Sequence, residues 1–509
     1  MVNQRKMGAV LSYVNIIASL LVGLLYTPFM LRLLGQSEYG LYSLIGSVVG
    51  YLSILDLGLS NTIVRYTARN RVIGNDNSEA ELNWLFLFVY LIIGIITAIL
   101  GSILYANIEN LFGNTLSMGE MERAKVMTLL LIFNLTFTFP LSVFGSIMQA
   151  YERFVWLRII NIVRVLLNPL IILPLLIVGY GSVMMVVVST ILNFICLLTN
   201  VYYCFHYLHI KFKRGKYQYL FLKEIMIYSF FIFLNVIMDK IYWGTGQFIL
   251  GIVSGTLEVA IYSIAMQFMM MYMNFSTAIS GVLLPGVTMM IANQTSSEEL
   301  TNLMIKIGRL QYIIISYILL IFFLVGKEFL YLWAGKNYLS AYPIILLLMG
   351  ALFIALVQNA GIAILQAMNL NKYRMTVYSI IAFVNVIVSI PLAKMYGGIG
   401  CAIATPLALV ISTGLIMNRY YQKKIHINVK LFWKSIGSMT SSAILLLVIS
   451  YLYQYFVVLT YSWMHFAIEF FVYSSIYFLL LFVLNMNSYE KKIFYTIFDR
   501  IKKRDVNEN

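Results

Sequence analysis

Residues 55–70 read LDLGLSNTIVRYTARN and place ionisable side chains at the end of a long apolar run. Asp56 falls within this run, and Arg65 follows directly after it. An ionisable side chain at the centre of a membrane helix costs about 2.5–3.5 kcal/mol on insertion scales. These charges therefore either reach water at a membrane surface or serve a purpose inside the membrane.

The composition of the whole chain is that of a polytopic membrane protein. Of its 509 residues, 61% are hydrophobic and 11% are charged, whereas soluble domains carry about 25% charged residues. The net charge of +15 is assigned to cytoplasmic loops that obey the positive-inside rule, and no nucleic-acid partner is expected. The three cysteines are isolated from one another, which gives no disulfide or metal-binding pattern.

Fourteen apolar segments have the length of membrane-spanning helices. They lie near 8–31, 40–64, 83–106, 125–149, 157–178, 182–205, 224–250, 259–284, 308–326, 341–366, 376–396, 398–418, 436–456 and 461–484. With the N-terminus inside, 27 of the 35 Lys and Arg residues fall in cytoplasmic segments and six fall outside. This bias predicts an all-α protein of about fourteen transmembrane helices with both termini in the cytoplasm.

The two halves of the chain carry an internal repeat. GQSEYGLYSL at 35–44 matches GTLEVAIYSI at 255–264 in Gly, Glu, Tyr and Ser, and the Tyr-Gly pair at 180–181 recurs at 396–397. Parallel repeats of six helices are typical of alternating-access transporters. We therefore predict a six-helix lobe over 1–210, a second over 211–425, helices 13 and 14 over 426–485, and a basic amphipathic cytoplasmic tail over 486–509.

Polar residues inside the predicted spans are the candidates for lining a substrate cavity. On the fifth span they share one helical face, and on the seventh they form a stripe near mid-membrane. At the repeat shifts Asp56 corresponds to Ser276 and Arg164 to Ile381, so neither charge follows from the duplicated scaffold. The full set of candidates is Asp56, Arg65, Asn161, Arg164, Asn168, Asn235, Asp239 and Lys240.

Structural explanations for the same charges remain open. Asp56 and Arg164 are expected at similar depths, so they are expected either to form a buried ion pair or to face one cavity. Asp239 and its neighbour Lys240 could neutralise each other, and Arg65 could anchor its helix at the cytoplasmic surface.

No enzyme signature competes with a transport function. The four histidines are scattered, and the chain has neither a P-loop nor the spacing of metal ligands. We therefore expect no catalytic residue, no cofactor and no metal.

Two stretches carry a family resemblance. G-x-x-x-Y-G-L-Y-S and I-L-D-L-G-L-S-N-x-I-V-R-Y within 35–70, and N-x-x-x-D-K followed by V-A-I-Y-S-I-A in the second half, resemble bacterial polysaccharide transport proteins. These are the oligosaccharide flippases of the multidrug/oligosaccharidyl-lipid/polysaccharide exporter superfamily.

The resemblance implies a V-shaped alternating-access carrier in the bacterial inner membrane. Such a carrier would flip oligosaccharide linked to undecaprenyl pyrophosphate, for O-antigen, capsule or exopolysaccharide assembly, with a polysaccharide polymerase and a chain-length regulator as partners in the same membrane. Two alternatives remain, a multidrug or cation antiporter of the same superfamily and a membrane polysaccharide polymerase.

Overall fold

The computed structural model describes residues 4–73, 76–215, 219–280, 284–293, 295–456, 461–492 and 495. About 90% of the described residues are helical, and none of them lies in a strand. A chain surrounded by hydrocarbon must satisfy its backbone N–H and C=O groups internally, and a helix does this within one segment. The predicted all-α class is therefore confirmed.

The helices of the first half are numbered here in chain order. They are α1 Gln4–Leu34, α2 Gln36–Gly50, a 3₁₀ turn Tyr51–Asp56, α3 Leu59–Ile73, α4 Asp76–Ala106, α5 Ile108–Phe112, α6 Met118–Ala150, α7 Phe154–Val178, α8 Ser182–His206 and α9 Tyr219–Val253.

The second half continues the series with the following elements. They are α10 Thr256–Ser280, α11 Leu284–Ala292, α12 Ser297–Trp333, a 3₁₀ turn Lys336–Tyr338, α13 Ala341–Val357, α14 Asn359–Ala367, α15 Asn371–Leu409, a π-helical segment Val410–Met417, α16 Asn418–Lys424, α17 Val429–Gly437, α18 Thr440–Phe456, α19 Trp463–Leu480 and a second π segment Leu481–Asn485.

Among the described residues, eleven helical segments are long and apolar enough to cross a membrane, or twelve if the bent pair α13 and α14 is one span. The predicted spans 376–396 and 398–418 fall within one segment, Asn371–Lys424. The backbone of this segment is not helical at Gly397 (φ 57°, ψ −136°), between the two predicted spans. The count of fourteen stays a prediction.

The second span is not the continuous helix that its apolar run suggests. It breaks at the LDLG sequence, where Leu57 (φ 52°) and Gly58 (φ 69°) adopt left-handed backbone conformations. A Cβ on Gly58 would lie 2.3 Å from Cγ2 of Ile232 on α9. Glycine is therefore required there both by the backbone conformation and by the close approach of a neighbouring helix.

Packing divides the chain into two compact units, Met1–Ser263 with Val386–Cys401, and Ile264–Asn385 with Ala402–Asn509. In the first unit α3, α4, α6 and the C-terminal end of α8 surround a core that includes Phe86, Tyr90 and Phe144. In the second, α12, α17 and α19 surround a core that includes Tyr312, Phe432 and Tyr477. The predicted second lobe, 211–425, includes α9, whereas α9 packs within the first compact unit. The boundaries of the predicted lobes stay a prediction.

The repeated Glu makes the same contact in both copies. Glu38 Oε1 accepts a hydrogen bond from the backbone N–H of Ser182 at 3.1 Å. Its repeat partner Glu258 accepts from the backbone N–H of Gly398 at 2.9 Å through Oε2. Each amide directly follows the glycine of the repeated Tyr-Gly pair. The repeat therefore preserves a carboxylate that satisfies the backbone where the chain turns into a span.

A buried ion pair ties the start of the C-terminal tail to the second unit. Arg309, at the start of the predicted span 308–326, is only 7% exposed, and Glu490 is 2% exposed. Arg309 Nε donates to Glu490 Oε1 at 2.6 Å, and Nη2 donates to Oε2 at 2.9 Å and to the backbone carbonyl of Asn485 at 2.7 Å. Most of the predicted amphipathic tail, including 496–509, lies outside the described residues.

Removing one partner of this ion pair should destabilise the protein more than removing both. Arg309→Ala strands the buried Glu490 carboxylate and should cost about 3–5 kcal/mol, whereas Arg309→Met with Glu490→Leu should cost less. Thermal unfolding of the purified protein in detergent measures the difference. Arg419→Ala, at an exposed arginine, serves as the control and should have little effect. A double variant less stable than Arg309→Ala would contradict this account.

Candidate functional site

Helix α9 packs along the broken second span and brings polar groups of the first unit together. Thr62 and Ser229 are hydrogen-bonded through their hydroxyls at 2.8 Å. Tyr51 and Thr245 are joined in the same way at 3.0 Å. The break in the second span is therefore held by side-chain contacts to the neighbouring helix.

Asp56 lies at the end of the 3₁₀ turn and is half-buried. Its Oδ1 accepts hydrogen bonds from Tyr90 Oη at 2.6 Å and from Ser60 Oγ at 3.2 Å. Tyr90 is completely buried on α4. A carboxylate that accepts from a buried phenol is held in one orientation, so Asp56 fixes the broken span against α4.

An apolar cavity of about 190 Å³ adjoins this break. It is lined by side chains of the broken span, α4 and α9, among them Leu57, Phe86 and Phe233. Small-molecule sites commonly occupy about 300–1,000 Å³. This cavity is too small for an oligosaccharide, and its lining suits only a short apolar group.

Arg164 lies in the middle of α7 and is exposed on the chain surface. Its Nη1 donates to Asn193 Oδ1 on α8 at 3.0 Å. One turn later on α7, Asn168 donates to Ser189 Oγ at 3.1 Å. Asn168 follows Arg164 by four residues on α7, whereas its partner Ser189 precedes Asn193 by four residues on α8. This opposite direction is expected for antiparallel helices.

Asn193 extends this ladder into α6. Its Nδ2 donates to Asn134 Oδ1 and to Thr138 Oγ1, both at 2.8 Å. Asn134 in turn donates to Thr190 Oγ1 at 3.2 Å. The acceptor of Arg164 is thereby oriented by two residues of α6, and α6, α7 and α8 form one hydrogen-bonded group.

The remaining candidates lie on two other helices or beside Arg164. Asn161 is exposed on α7, and Arg65 is exposed on α3 with its guanidinium carbon 5.9 Å from the centre of the Tyr66 ring. On α9, Asn235 and Asp239 are exposed. Lys240 on the same helix is half-buried, and its Nζ lies 3.7 Å from the position a Cβ on Gly50 would occupy.

Asp56 and Arg164 do not form the ion pair that their expected depths suggested. In the described part of the chain, Asp56 is bound by Tyr90 and Ser60, and Arg164 is bound to Asn193. The depth comparison treated the second span as one straight helix, whereas the chain breaks directly after Asp56. The interpretation that these candidates line one cavity stays a prediction.

Sequence reasoning missed the residues that hold the two charges. Tyr90 gives no signal, because one tyrosine in an apolar span resembles an ordinary core residue. Two otherwise apolar spans each contain a pair of polar residues four positions apart, Asn134 with Thr138 and Ser189 with Asn193. Such pairs mark one helical face and were the signal available for the α6–α8 ladder.

Comparison with known sequences places the chain in a family of polysaccharide biosynthesis proteins. The sequence profile described as "Polysaccharide biosynthesis protein" matches residues 5–291, which is more than half of the chain. A Shigella flexneri protein named "Putative O-antigen transporter" is 22% identical over 405 residues, covering 77% of this chain and 92% of the relative.

The fold is similar to those of solved membrane transporters. The lipid II flippase MurJ in its inward closed conformation aligns with a TM-score of 0.71 and 17% identity, covering 96% of this chain and 99% of MurJ. An inward-facing multidrug resistance transporter of the MATE family, in the MOP superfamily, aligns with a TM-score of 0.63 and 14% identity. This alignment covers 82% of this chain and 99% of the transporter. The match to the family profile and the transporter fold together identify this chain as a multi-span member of the bacterial polysaccharide biosynthesis protein family.

Proposed function

We propose that this protein is a flippase that moves polyprenyl-pyrophosphate-linked oligosaccharide repeat units across the bacterial inner membrane for surface polysaccharide assembly. The carrier lipid would be undecaprenyl pyrophosphate, and the product would be O-antigen, capsule or exopolysaccharide. Both termini lie in the cytoplasm in this proposal, as the distribution of Lys and Arg predicts. A polysaccharide polymerase and a chain-length regulator in the same membrane would be its partners.

The observation that carries the proposal is the fixed guanidinium of Arg164. Within the described chain this side chain makes one hydrogen bond, to Asn193. Arg has five N–H donors in a rigid planar arrangement, so several of them remain for a ligand. Because Arg offers bidentate donors to phosphate oxygens, an oriented Arg within a span suits a pyrophosphate headgroup.

The surroundings of Arg164 also suit a substrate that is both anionic and apolar. Val163 and Leu167, next to it and one turn further along α7, are exposed. An Arg facing only hydrocarbon would cost about 2.5–3.5 kcal/mol, whereas an anionic headgroup would offset that cost. A prenyl tail could contact the neighbouring apolar side chains, so one surface would accept both parts of the lipid carrier.

The runner-up is a multidrug or cation antiporter, which the MATE-like fold permits. A cation carrier requires carboxylates that are available to the cation and to the coupling ion. Asp56, the carboxylate within the broken span, is already bound by Tyr90 and Ser60. This engagement favours a structural role for Asp56 and leaves Asp239 as the carboxylate on which an antiporter would depend. A membrane polymerase is less favoured, because the relatives and folds found are those of transporters.

The flippase proposal predicts a graded response to changes at Arg164. Arg164→Lys should retain part of the export, because the charge remains and the bidentate geometry is lost. Arg164→Gln should be weaker, and Arg164→Glu should abolish export by repelling the anion. The measurement is the leaflet distribution of lipid-linked repeat units in spheroplasts of a deletion strain that expresses each variant, probed with a membrane-impermeant sugar-modifying reagent.

The controls separate this outcome from misfolding and from the other functions. Arg158→Gln, on the same helix, should leave export intact, and the amount of each variant in the membrane should match that of wild type. In a strain without the flippase, repeat units should stay in the inner leaflet. Without a polymerase they would reach the outer leaflet, and without a drug pump they would be unaffected. Normal export by well-expressed Arg164→Glu would refute the role of this residue.

Asp56 should behave as a structural partner of Tyr90. Tyr90→Phe removes the donor to Asp56 and should cost about 1.5–3 kcal/mol of stability. In an Asp56→Asn background the same change should cost less, because the charged acceptor is gone. Thermal unfolding of the four proteins in this double-mutant cycle gives the coupling, with Tyr13→Phe at an exposed tyrosine as the control. Additive effects, or loss of export by a stable Asp56→Asn protein, would contradict a purely structural role for Asp56.

A further inference from the structure

A cluster of potential metal ligands lies in the second unit, away from the candidates discussed above. Glu328 is near the C-terminal end of α12, and His465 and Glu469 lie one turn apart at the start of α19. One ligand atom from each residue lies within 4.8 Å of the other two. Sequence spacing does not reveal this group, because Glu328 precedes the other two residues by more than 130 positions.

The imidazole of His465 is oriented by Glu328. Nδ1 lies 3.3 Å from Oε1 and 3.2 Å from Oε2 of that carboxylate, and Oε1 also accepts from the backbone N–H of Ser462 at 3.2 Å. The opposite ring atom, Nε2, is buried without a hydrogen-bond partner in the described chain. A His whose Nδ1 is held by a carboxylate and whose Nε2 is unused has the arrangement of a metal ligand with its supporting carboxylate.

Glu469 lies on the open side of this imidazole. Its Oε1 is 3.7 Å from Nε2 of His465, too far for a hydrogen bond. Zinc–nitrogen and zinc–oxygen bonds are about 2.0–2.2 Å long, so one ion bound to both atoms would subtend an angle of about 120°. The two atoms are therefore separated by a distance that a single ion can bridge.

The burial of the two carboxylates calls for a cation. The side chains of Glu328 and Glu469 are each only 6% exposed. Within the described chain neither lies within 4.0 Å of a Lys or Arg nitrogen, and Glu469 makes no hydrogen bond. Glu328 is compensated by Ser462 and His465, so Glu469 is the carboxylate that lacks compensation. Burying such a charge is costly, and a metal ion is one of the ways in which proteins satisfy it.

A cavity of about 520 Å³ gives access to the cluster. Its lining includes both carboxylates, Tyr342 and Tyr461, together with the exposed Lys327. An ion entering by this route could keep water as its remaining ligands. The protein would then provide an incomplete ligand set, as open zinc sites do.

We propose that His465 Nε2 and the Glu469 carboxylate bind one divalent transition-metal ion of the Zn²⁺ type, with Glu328 as the residue that positions His465. The ion bridges two ligands on α19, and Glu328 connects this helix to α12 through its contact with His465. Metal binding therefore stabilises the folded state in which these two ligands are brought together. This proposal is independent of the transported substrate.

Equilibrium dialysis of the purified full-length protein against ZnCl₂, after removal of metal with a chelator, tests the proposal. We expect one bound Zn²⁺ per chain and a higher unfolding temperature in its presence. Co²⁺ in place of Zn²⁺ should give a visible absorption spectrum that reports an N/O ligand set. Glu328→Gln should weaken Zn²⁺ binding about 10–100-fold, as expected for a supporting carboxylate, and His465→Gln and Glu469→Gln should weaken it at least as much.

The remaining histidines and cysteines provide the matched controls. His206→Gln and His426→Gln, at exposed positions, and Cys196→Ser should bind Zn²⁺ as wild type does. Without metal, Glu469→Gln should unfold at or above the wild-type temperature, because a buried carboxylate has been removed; Zn²⁺ should no longer raise that temperature. Failure to bind stoichiometric Zn²⁺, or unchanged binding in His465→Gln and Glu469→Gln, would overturn the proposal.

Discussion

Hydrocarbon offers no partner to a backbone amide, so the chain itself must supply one wherever it turns into a span. Glu38 and Glu258 illustrate this most clearly, since each binds the amide that follows a repeated Tyr-Gly pair. The repeated glycines ahead of these carboxylates, Gly35 and Gly255, also share a left-handed conformation, with φ of 78° and 81°. The duplicated sequence is thus retained where backbone geometry and hydrogen bonding require it, while the apolar residues between these points have diverged.

The same requirement shapes the proposed transport function. Asp56 directly precedes the break in the second span and is bound by Tyr90, so its charge serves the packing of the helices. Arg164 is held differently, because Asn193 orients the guanidinium without occupying most of its donors. Of these two charges, Asp56 is therefore committed to structure, and Arg164 remains capable of binding an anion. This difference, within a polysaccharide biosynthesis family, favours a lipid-linked oligosaccharide over an organic cation.

The helical class, the family and the internal repeat were predictable from sequence, because apolar length, charge bias and repeated polar residues are local properties. Partnerships between distant residues were not. Tyr90, Asn193 and Glu328 act on residues that lie 29 or more positions away, and no spacing rule connects them. The break at Leu57 and Gly58 was missed for another reason, since the apolar run continues through it and hydropathy does not report backbone dihedrals.

The most direct test of the central claim is transport by the purified protein in liposomes that contain a polyprenyl-pyrophosphate-linked sugar. The fraction of the sugar that becomes accessible to an impermeant reagent on the opposite side is measured over time. We predict that wild type transfers the sugar, that Arg164→Lys transfers it more slowly, and that Arg164→Glu does not transfer it. Transport of an organic cation by wild type, with no movement of the lipid-linked sugar and no effect of Arg164→Glu, would contradict the account.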